Sequence, residues 1–175
     1  QLMDIRKIDK GQMSLMFKKA EIVSFTRDLL ETFEQQTRVK KLDLKFHTSA
    51  PEIEMWIDPK NFDKIILNLL SNACKFTPEN GQVEISLSTG EDTHLPKNAP
   101  LRRYVEFTVA DSGIGIASTE REHIFERFYQ IRNSQNNSNI GTGIGLHLTR
   151  SLVELHYGNI HVEDNGEGKP GSRFI

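Results

Sequence analysis

At 175 residues the chain has room for one domain with its own core, or one domain and a short appendage. A hydrophobic share of 37%, a charged share of 26% and a net charge of −2 describe a soluble globular protein and exclude a disordered chain or a basic nucleic-acid surface. One cysteine, Cys74, excludes an internal disulfide framework and a cysteine-cluster zinc site, and no apolar run reaches the length of a membrane span.

Leu2, Ile5 and Ile8 have helical spacing and Gly11 follows as a stop, so residues 1–10 read as the tail of a helix that began upstream. The chain is expected to be a fragment of something longer. Met13 to Phe17 reads as a short strand. Ile22, Phe25, Leu29, Leu30 and Phe33 keep the helical period and predict one amphipathic helix from Ala20 to about Val39. Leu42, Leu44 and Phe46 alternate with Asp43, Lys45 and His47 as a half-buried strand, and Glu54 to Ile57 reads as another. Asp58-Pro59 opens a helix, with a capping carboxylate and a proline in the first turn, and Pro78 lies just past its end. Val83, Ile85 and Leu87 form a strand, Thr89 to Arg102 a loop, and Val105, Phe107 and Val109 a strand that runs into Asp111. A short helix follows Ser118. Gln130 to Gly141 is a long loop rich in Asn and Ser, of the length class of lids and binding loops. Ile144 to His156 reads as a third helix with Leu148, Leu152 and Leu155 inward, ended by Gly158. A strand at Ile160 and Val162, a glycine-rich turn from Asn165 to Gly171 and a strand at Arg173 to Ile175 complete the chain. Strands and helices are interspersed without strict βαβ order, which predicts a mixed sheet with helices on one face.

In the helix opened by Asp58, Asn68, Asn72 and Lys75 share one side, and Ile66, Leu69, Leu70 and Ala73 the other. An ordinary amphipathic helix with a solvated side accounts for that pattern equally well. Chemically, a carboxamide oxygen suits Mg²⁺ and an ammonium suits phosphate oxygens. Two glycine motifs follow: Asp111-Ser-Gly113-Ile-Gly115-Ile116 at a strand end and Gly141-Thr-Gly143-Ile-Gly145-Leu146 at a helix start. The second is a credible phosphate cradle, because glycines let backbone N–H groups approach an anion at a helix N-terminus. Neither is a dinucleotide fingerprint, since Ile116 and Leu146 occupy the sixth position, and the P-loop-like run 166–172 has Ser172 where the lysine belongs. Asp111 has two readings: a turn cap, or an acceptor for the exocyclic N–H of adenine that would discriminate against guanine.

In order, NLLSNACKF (68–76), DSGIGI (111–116), IFERFYQ (124–130) and GTGIGL (141–146) resemble the catalytic ATP-binding domain of sensor histidine kinases. That superfamily is shared with gyrase, a heat-shock chaperone and mismatch-repair ATPases. The resemblance covers residues 13–175, and residues 1–12 look like the end of the dimerisation and phosphoacceptor helix or its linker. It implies an α+β fold, the Bergerat fold: a two-layer α/β sandwich whose mixed, mostly antiparallel sheet of about five strands carries three main helices on one face.

Position by position, it implies that Asn72 ligates Mg²⁺, Asn68 lies near metal and phosphates, and Lys75 contacts phosphate oxygens. Phe76 packs on the adenine, Asp111 binds its amino group, and Gly113, Gly115 and Ile116 admit the base. Phe125 and Phe128 anchor a lid. Gly141, Thr142, Gly143, Ile144, Gly145 and Leu146 form the hinge and the phosphate-facing turn, and Ser172 helps hold the base. Gln130 departs from the pattern, standing where some relatives carry a lid arginine that reaches the γ-phosphate, with Arg132 or Arg127 as substitutes.

Hydrolysing members of the superfamily place a water-activating glutamate four residues before the metal-binding asparagine. Here that position is Asn68, which is no base at neutral pH, so transfer is favoured over hydrolysis. None of His47, His94, His123, His147, His156 and His161 has the acceptor setting, a histidine followed by an acidic residue in a long helix. The expected activity is therefore Mg-ATP-dependent phosphorylation of a histidine on an absent dimerisation domain, the first step of a two-component phosphorelay. The expected partners are that domain, a response-regulator receiver domain and a second copy in the full-length homodimer. Neither nucleic acid nor direct membrane contact is expected. The parent, possible as a hybrid kinase, is expected in the cell membrane with this domain in the cytoplasm. A silent nucleotide-sensing module and an ATP-hydrolysing clamp are the alternatives.

Overall fold

The computed structural model describes residues 1–94, 102–131, 141–166 and 168–175. In chain order the elements are α1 (Leu2–Asp9), β1 (Lys18–Glu21), α2 (Ile22–Glu31), α3 (Glu34–Val39), β2 (Asp43–Thr48), β3 (Glu54–Ile57), α4 (Pro59–Phe76), β4 (Gln82–Glu91), β5 (Arg103–Asp111), a 3₁₀ turn (His123–Phe125), α5 (Gly145–Leu155), β6 (Val162–Asp164) and β7 (Ser172–Phe174). Five strands form one sheet in the order β2-β4-β5-β7-β6. Only β2–β4 is parallel, while β4–β5, β5–β7 and β7–β6 are antiparallel. A separate antiparallel pair, β1–β3, stands apart from it.

Alternation along the strands decides which side of the sheet is covered. Val83, Ile85 and Leu87 of β4, Val109 of β5 and Phe174 of β7 are buried. They belong to one core with Ile66, Leu69, Leu70 and Ala73 of α4, Leu148 and Leu152 of α5, and Ile22, Val23 and Leu30 of α2. Fully burying such a side chain contributes about 1.5–3 kcal/mol, so this layer supplies most of the driving force. On the other side, Gln82, Glu84 and Ser86 alternate with the buried set and border an open trough of about 420 Å³.

Helix α4 runs where Asp58-Pro59 and the apolar period predict. The Asp58 carboxylate accepts N–H bonds from Asn61 (3.2 Å) and, across the chain, from Met16 (2.8 Å). Burial pushes the Asp58 carboxyl up, but these bonds outweigh it and hold the group below its ordinary range. The far end is closed by Lys40, whose ammonium donates to the carbonyls of Cys74 (2.9 Å), Lys75 (3.0 Å) and Thr77 (3.0 Å). These are carbonyls that a helix end leaves without intrahelical partners.

Four expectations need correction. The first strand is Lys18–Glu21, not Met13–Phe17, because the register with β3 begins at Lys18 and the Met16 N–H is taken by Asp58. The helix expected from Ala20 to Val39 starts later and is divided into α2 and α3. Glu21 caps α2 by accepting from the N–H groups of Val23 and Ser24. Thr32 breaks it: its hydroxyl bonds the Leu29 carbonyl at 2.6 Å, and the N–H groups of Thr32 and Phe33 turn back to Leu29 and Leu30. The loop expected from Thr89 is shorter at both described ends, since β4 continues to Glu91 and Asp92 N–H bonds the Arg102 carbonyl, while residues 95–101 lie outside the described residues. Finally, α5 ends at Leu155 with His156 as its cap, and the left-handed position of the stop belongs to Tyr157 (φ 63°) rather than to Gly158, whose N–H bonds the Val153 carbonyl.

Helix α1 rests on the same body. Ile5 is buried, Lys64 bonds Asp4 at 3.1 Å, and Arg127 donates to both Asp9 carboxylate oxygens at 2.8 Å.

Candidate functional site

Three segments meet along the polar side of α4: the C-terminal turn of α4 itself, the stretch after β5, and the stretch that opens α5. Asn68 and Asn72 lie one turn apart and half-buried. The Asn68 amide nitrogen donates to Thr149 Oγ1 at 2.7 Å, whereas the Asn72 carboxamide has no hydrogen bond among the described residues. The Lys75 ammonium lies over the Phe76 ring, 4.9 Å from its centre, and makes no ion pair among the described residues. It faces Gly141, where an added Cβ would stand 3.5 Å from it. A Cβ on Gly145 would fall on the Asn68 carboxamide. The glycines at 141 and 145 are thus the surfaces that face Lys75 and Asn68.

Asp111 ends β5 and is 5% exposed. One of its carboxylate oxygens accepts the Gly113 N–H at 2.8 Å and the other the Ser172 hydroxyl at 2.7 Å. Desolvation raises its pKa, and the two bonds oppose that rise without cancelling it. A carboxylate offers about four lone-pair directions, so two internal bonds leave capacity for an incoming N–H. Gly113 ties Asp111 to α4: a Cβ there would lie 2.6 Å from the Phe76 carbonyl. Asn165 donates to the backbone carbonyls of Asp111 and Pro170, fixing the glycine-rich turn beside it. Gly115 (φ 73°) packs against the Gly171 backbone, and Ile116 packs partly buried on the core.

The remaining predicted residues fall around the segment leading to α5. Phe125 is buried at 2% exposure, edge-on to Phe174. Phe128 is 61% exposed with φ 63° and touches this segment through its backbone, donating to the Gly143 carbonyl at 2.8 Å. Of the two phenylalanines expected to anchor the lid, Phe125 is thus in the core and Phe128 meets this segment through its backbone. Gly143 itself has φ 66°, and a Cβ on it would come within 2.7 Å of the Phe128 backbone. Gln130 donates to the Gly141 carbonyl at 2.6 Å, closing the base of the expected lid loop, while residues 132–140 lie outside the described residues. Arg132 lies outside with them, and Arg127 is already held by Asp9. Thr142 and Phe76 are exposed, Ile144 is buried, and Leu146 packs partly buried.

Sequence reasoning missed Thr149, Asn165 and Lys40. A threonine inside the apolar stripe of Leu148 and Leu152 was a faint signal for the first. The other two act on residues far along the chain and have no local signature.

Among the described residues no group of three or more His, Cys, Asp and Glu side chains is placed to hold a metal ion. A carboxamide oxygen beside phosphate oxygens is an all-oxygen donor set that suits a hard cation such as Mg²⁺. Sensor histidine kinase TmoS of Ectopseudomonas mendocina is 37% identical over 163 residues, which are 93% of this chain and 16% of that protein. This chain thus spans about a sixth of the length of that relative. Full-length ShkA, solved in complex with AMPPNP, superposes with a TM-score of 0.78 at 26% identity, covering 99% of this chain and 33% of that one. Histidine kinase ThkA, solved in complex with the response regulator protein TrrA, superposes with a TM-score of 0.72 at 22% identity, covering 99% and 45%. The family model described as "Histidine kinase-, DNA gyrase B-, and HSP90-like ATPase" matches residues 57–175, from the strand before α4 to the end of the chain, and the chain belongs to that family.

Proposed function

We propose that this chain binds Mg-ATP between α4 and the two glycine segments and donates the γ-phosphoryl group to a histidine of a dimerisation domain. The observation that carries the reading is the presence on α4 of a carboxamide, Asn72, without a hydrogen bond and an ammonium, Lys75, without an ion pair among the described residues, near a buried acid, Asp111. Asn72 offers its oxygen to Mg²⁺, Lys75 neutralises phosphate charge, and Asp111 accepts the adenine amino group. Phe76 presents a ring face to the base. Gly113 and Gly115 keep side chains out of its path, and Ser172 steadies the Asp111 carboxylate. Gly141, Gly143 and Gly145 bring backbone close to the phosphates, with Ile144, Leu146 and Thr142 flanking them. ATP supplies the phosphoryl donor, and the residues here position it and balance its charge, the main requirement of a loose phosphoryl-transfer transition state.

Transfer is favoured over hydrolysis because Asn68, not a carboxylate, stands four residues before Asn72, and its amide is engaged by Thr149. The acceptor, a second copy and a response-regulator receiver domain are the partners, with residues 1–12 as the end of the helix that links to them and the parent in the cell membrane. The description of TmoS as a sensor histidine kinase supports this reading. Calorimetric titration of the chain with Mg-ATP, followed by incubation with a separately supplied dimerisation domain, tests it. Nucleotide binding, negligible turnover alone and histidine phosphorylation on mixing are expected. Absence of binding refutes the reading, and rapid steady-state hydrolysis replaces it with a clamp.

A further inference from the structure

Asn68 and Asn72 are chemically identical and one helical turn apart, but among the described residues only the Asn68 carboxamide is held by a hydrogen bond. Its partner, Thr149, is 1% exposed and lies at the contact of α5 with α4. Leaving a hydroxyl buried between two helices without a hydrogen-bond partner is costly, and Asn68 is the partner it has among the described residues. The bond is short, 2.7 Å, and joins positions 81 residues apart. On the other side of the same carboxamide, Oδ1 lies against Gly145 with no room for a Cβ. Thus the hydroxyl grips the nitrogen end, and the first turn of α5 borders the oxygen end.

We propose that Thr149 is a positioning residue: it fixes the Asn68 carboxamide so that the oxygen faces the space between α4 and the glycine segment. This deepens the proposed function and rests on it, since that space is where the Mg-triphosphate is placed. Without the hydroxyl, the carboxamide is free to rotate, and either its N–H₂ or its oxygen can face the phosphates. An N–H₂ directed at a cation is repulsive, so loss of the grip acts on the metal-dependent part of binding. Leu148 and Leu152 supply the packing of α5, so this role is separable from the fold.

The test uses the 175-residue chain. Thr149→Val keeps the side-chain shape and removes the hydroxyl, and Thr149→Ser keeps the hydroxyl. By calorimetry, Thr149→Val is expected to weaken ATP binding about three- to tenfold with Mg²⁺ present, the scale of one net hydrogen bond, with little change in EDTA. Thr149→Ser restores the wild-type value. A second readout needs neither nucleotide nor variant: in the free wild-type chain, the Asn68 side-chain amide protons exchange with solvent more slowly than those of Asn72. If wild-type ATP binding is absent, the proposed function fails while this exchange difference still stands. If Asn68 exchanges as fast as Asn72, or if folded Thr149→Val binds Mg-ATP as the wild type does, Thr149 has no positioning role.

Discussion

Asp111→Asn isolates one charge at the base-binding end. In the wild type the carboxylate serves Gly113 N–H with one oxygen and the Ser172 hydroxyl with the other. The Gly113 N–H still needs an acceptor, so an asparagine must keep its oxygen there and place its N–H₂ toward Ser172, which can accept. The second N–H then points where the adenine amino group would donate, setting donor against donor. The lost charge-assisted bond is worth about 1.5–3 kcal/mol, which corresponds to about 10- to 150-fold in affinity. Stability changes little, because a neutral amide is cheaper to bury than the carboxylate whose pKa burial raises. Guanine presents an oxygen at that position, so the preference for ATP over GTP narrows. Calorimetry with both nucleotides, alongside thermal unfolding, reads all three effects. A folded variant with unchanged ATP affinity and unchanged ATP/GTP ratio removes Asp111 from base recognition. The pH dependence follows the same sign: the ionised acid is the acceptor, so wild-type ATP affinity falls on acidification at a pH above the ordinary 3.8, and the variant lacks that component.

Other perturbations separate binding, chemistry and stability. Asn72→Asp keeps an oxygen ligand but sets a negative charge against the phosphates, so phosphoryl transfer in the longer protein falls at least about tenfold while the unfolding midpoint shifts by only a few degrees. Equal loss of transfer and folding would mark Asn72 as structural. Burial alone would raise the Glu21 carboxyl, but N–H groups of Ile53, Ser24 and Val23 hold it at about 2, below the ordinary 4.5. Its contribution to stability is therefore whole above pH 4.5 and lost as pH falls toward 2. Glu21→Gln flattens that acid limb in denaturation curves and costs about 1 kcal/mol at neutral pH, the scale of a lost helix cap; an unchanged acid limb refutes the assignment. Lys40→Met leaves three carbonyls at the end of α4 without their donor and destabilises by about 1–3 kcal/mol in urea. Wild-type stability in that variant makes Lys40 a surface bystander.

Helix α4 and the sheet strands were legible because each carries its own period: Asp58-Pro59 marks a start, and the alternation from Val83 to Leu87 marks a half-covered strand. Errors arose where a distant partner decides. Whether residues 13–17 or 18–21 form the strand depends on β3, and no local pattern distinguishes them. The helical period passes through Thr32 unbroken, yet its hydroxyl turns back on Leu29 and divides the helix. At the site, residue types and order were visible, but the second layer was not. Asn165 reaches Asp111 across 54 residues and Thr149 reaches Asn68 across 81. Such contacts exist only once the sheet and both helices have assembled.

The Lys40 clasp also bears on where this domain can be cut. The match to the family model begins at residue 57, after the lysine that closes α4 and after β2, which pairs with β4 at the sheet edge. A truncation at that border would expose one flank of β4, uncover the hydrophobic partners supplied by Ile22, Val23 and Leu42, and let the turn bearing Lys75 and Phe76 fray. The matched stretch is thus smaller than the unit that holds itself together, which reaches back at least to Met16, whose N–H bonds Asp58.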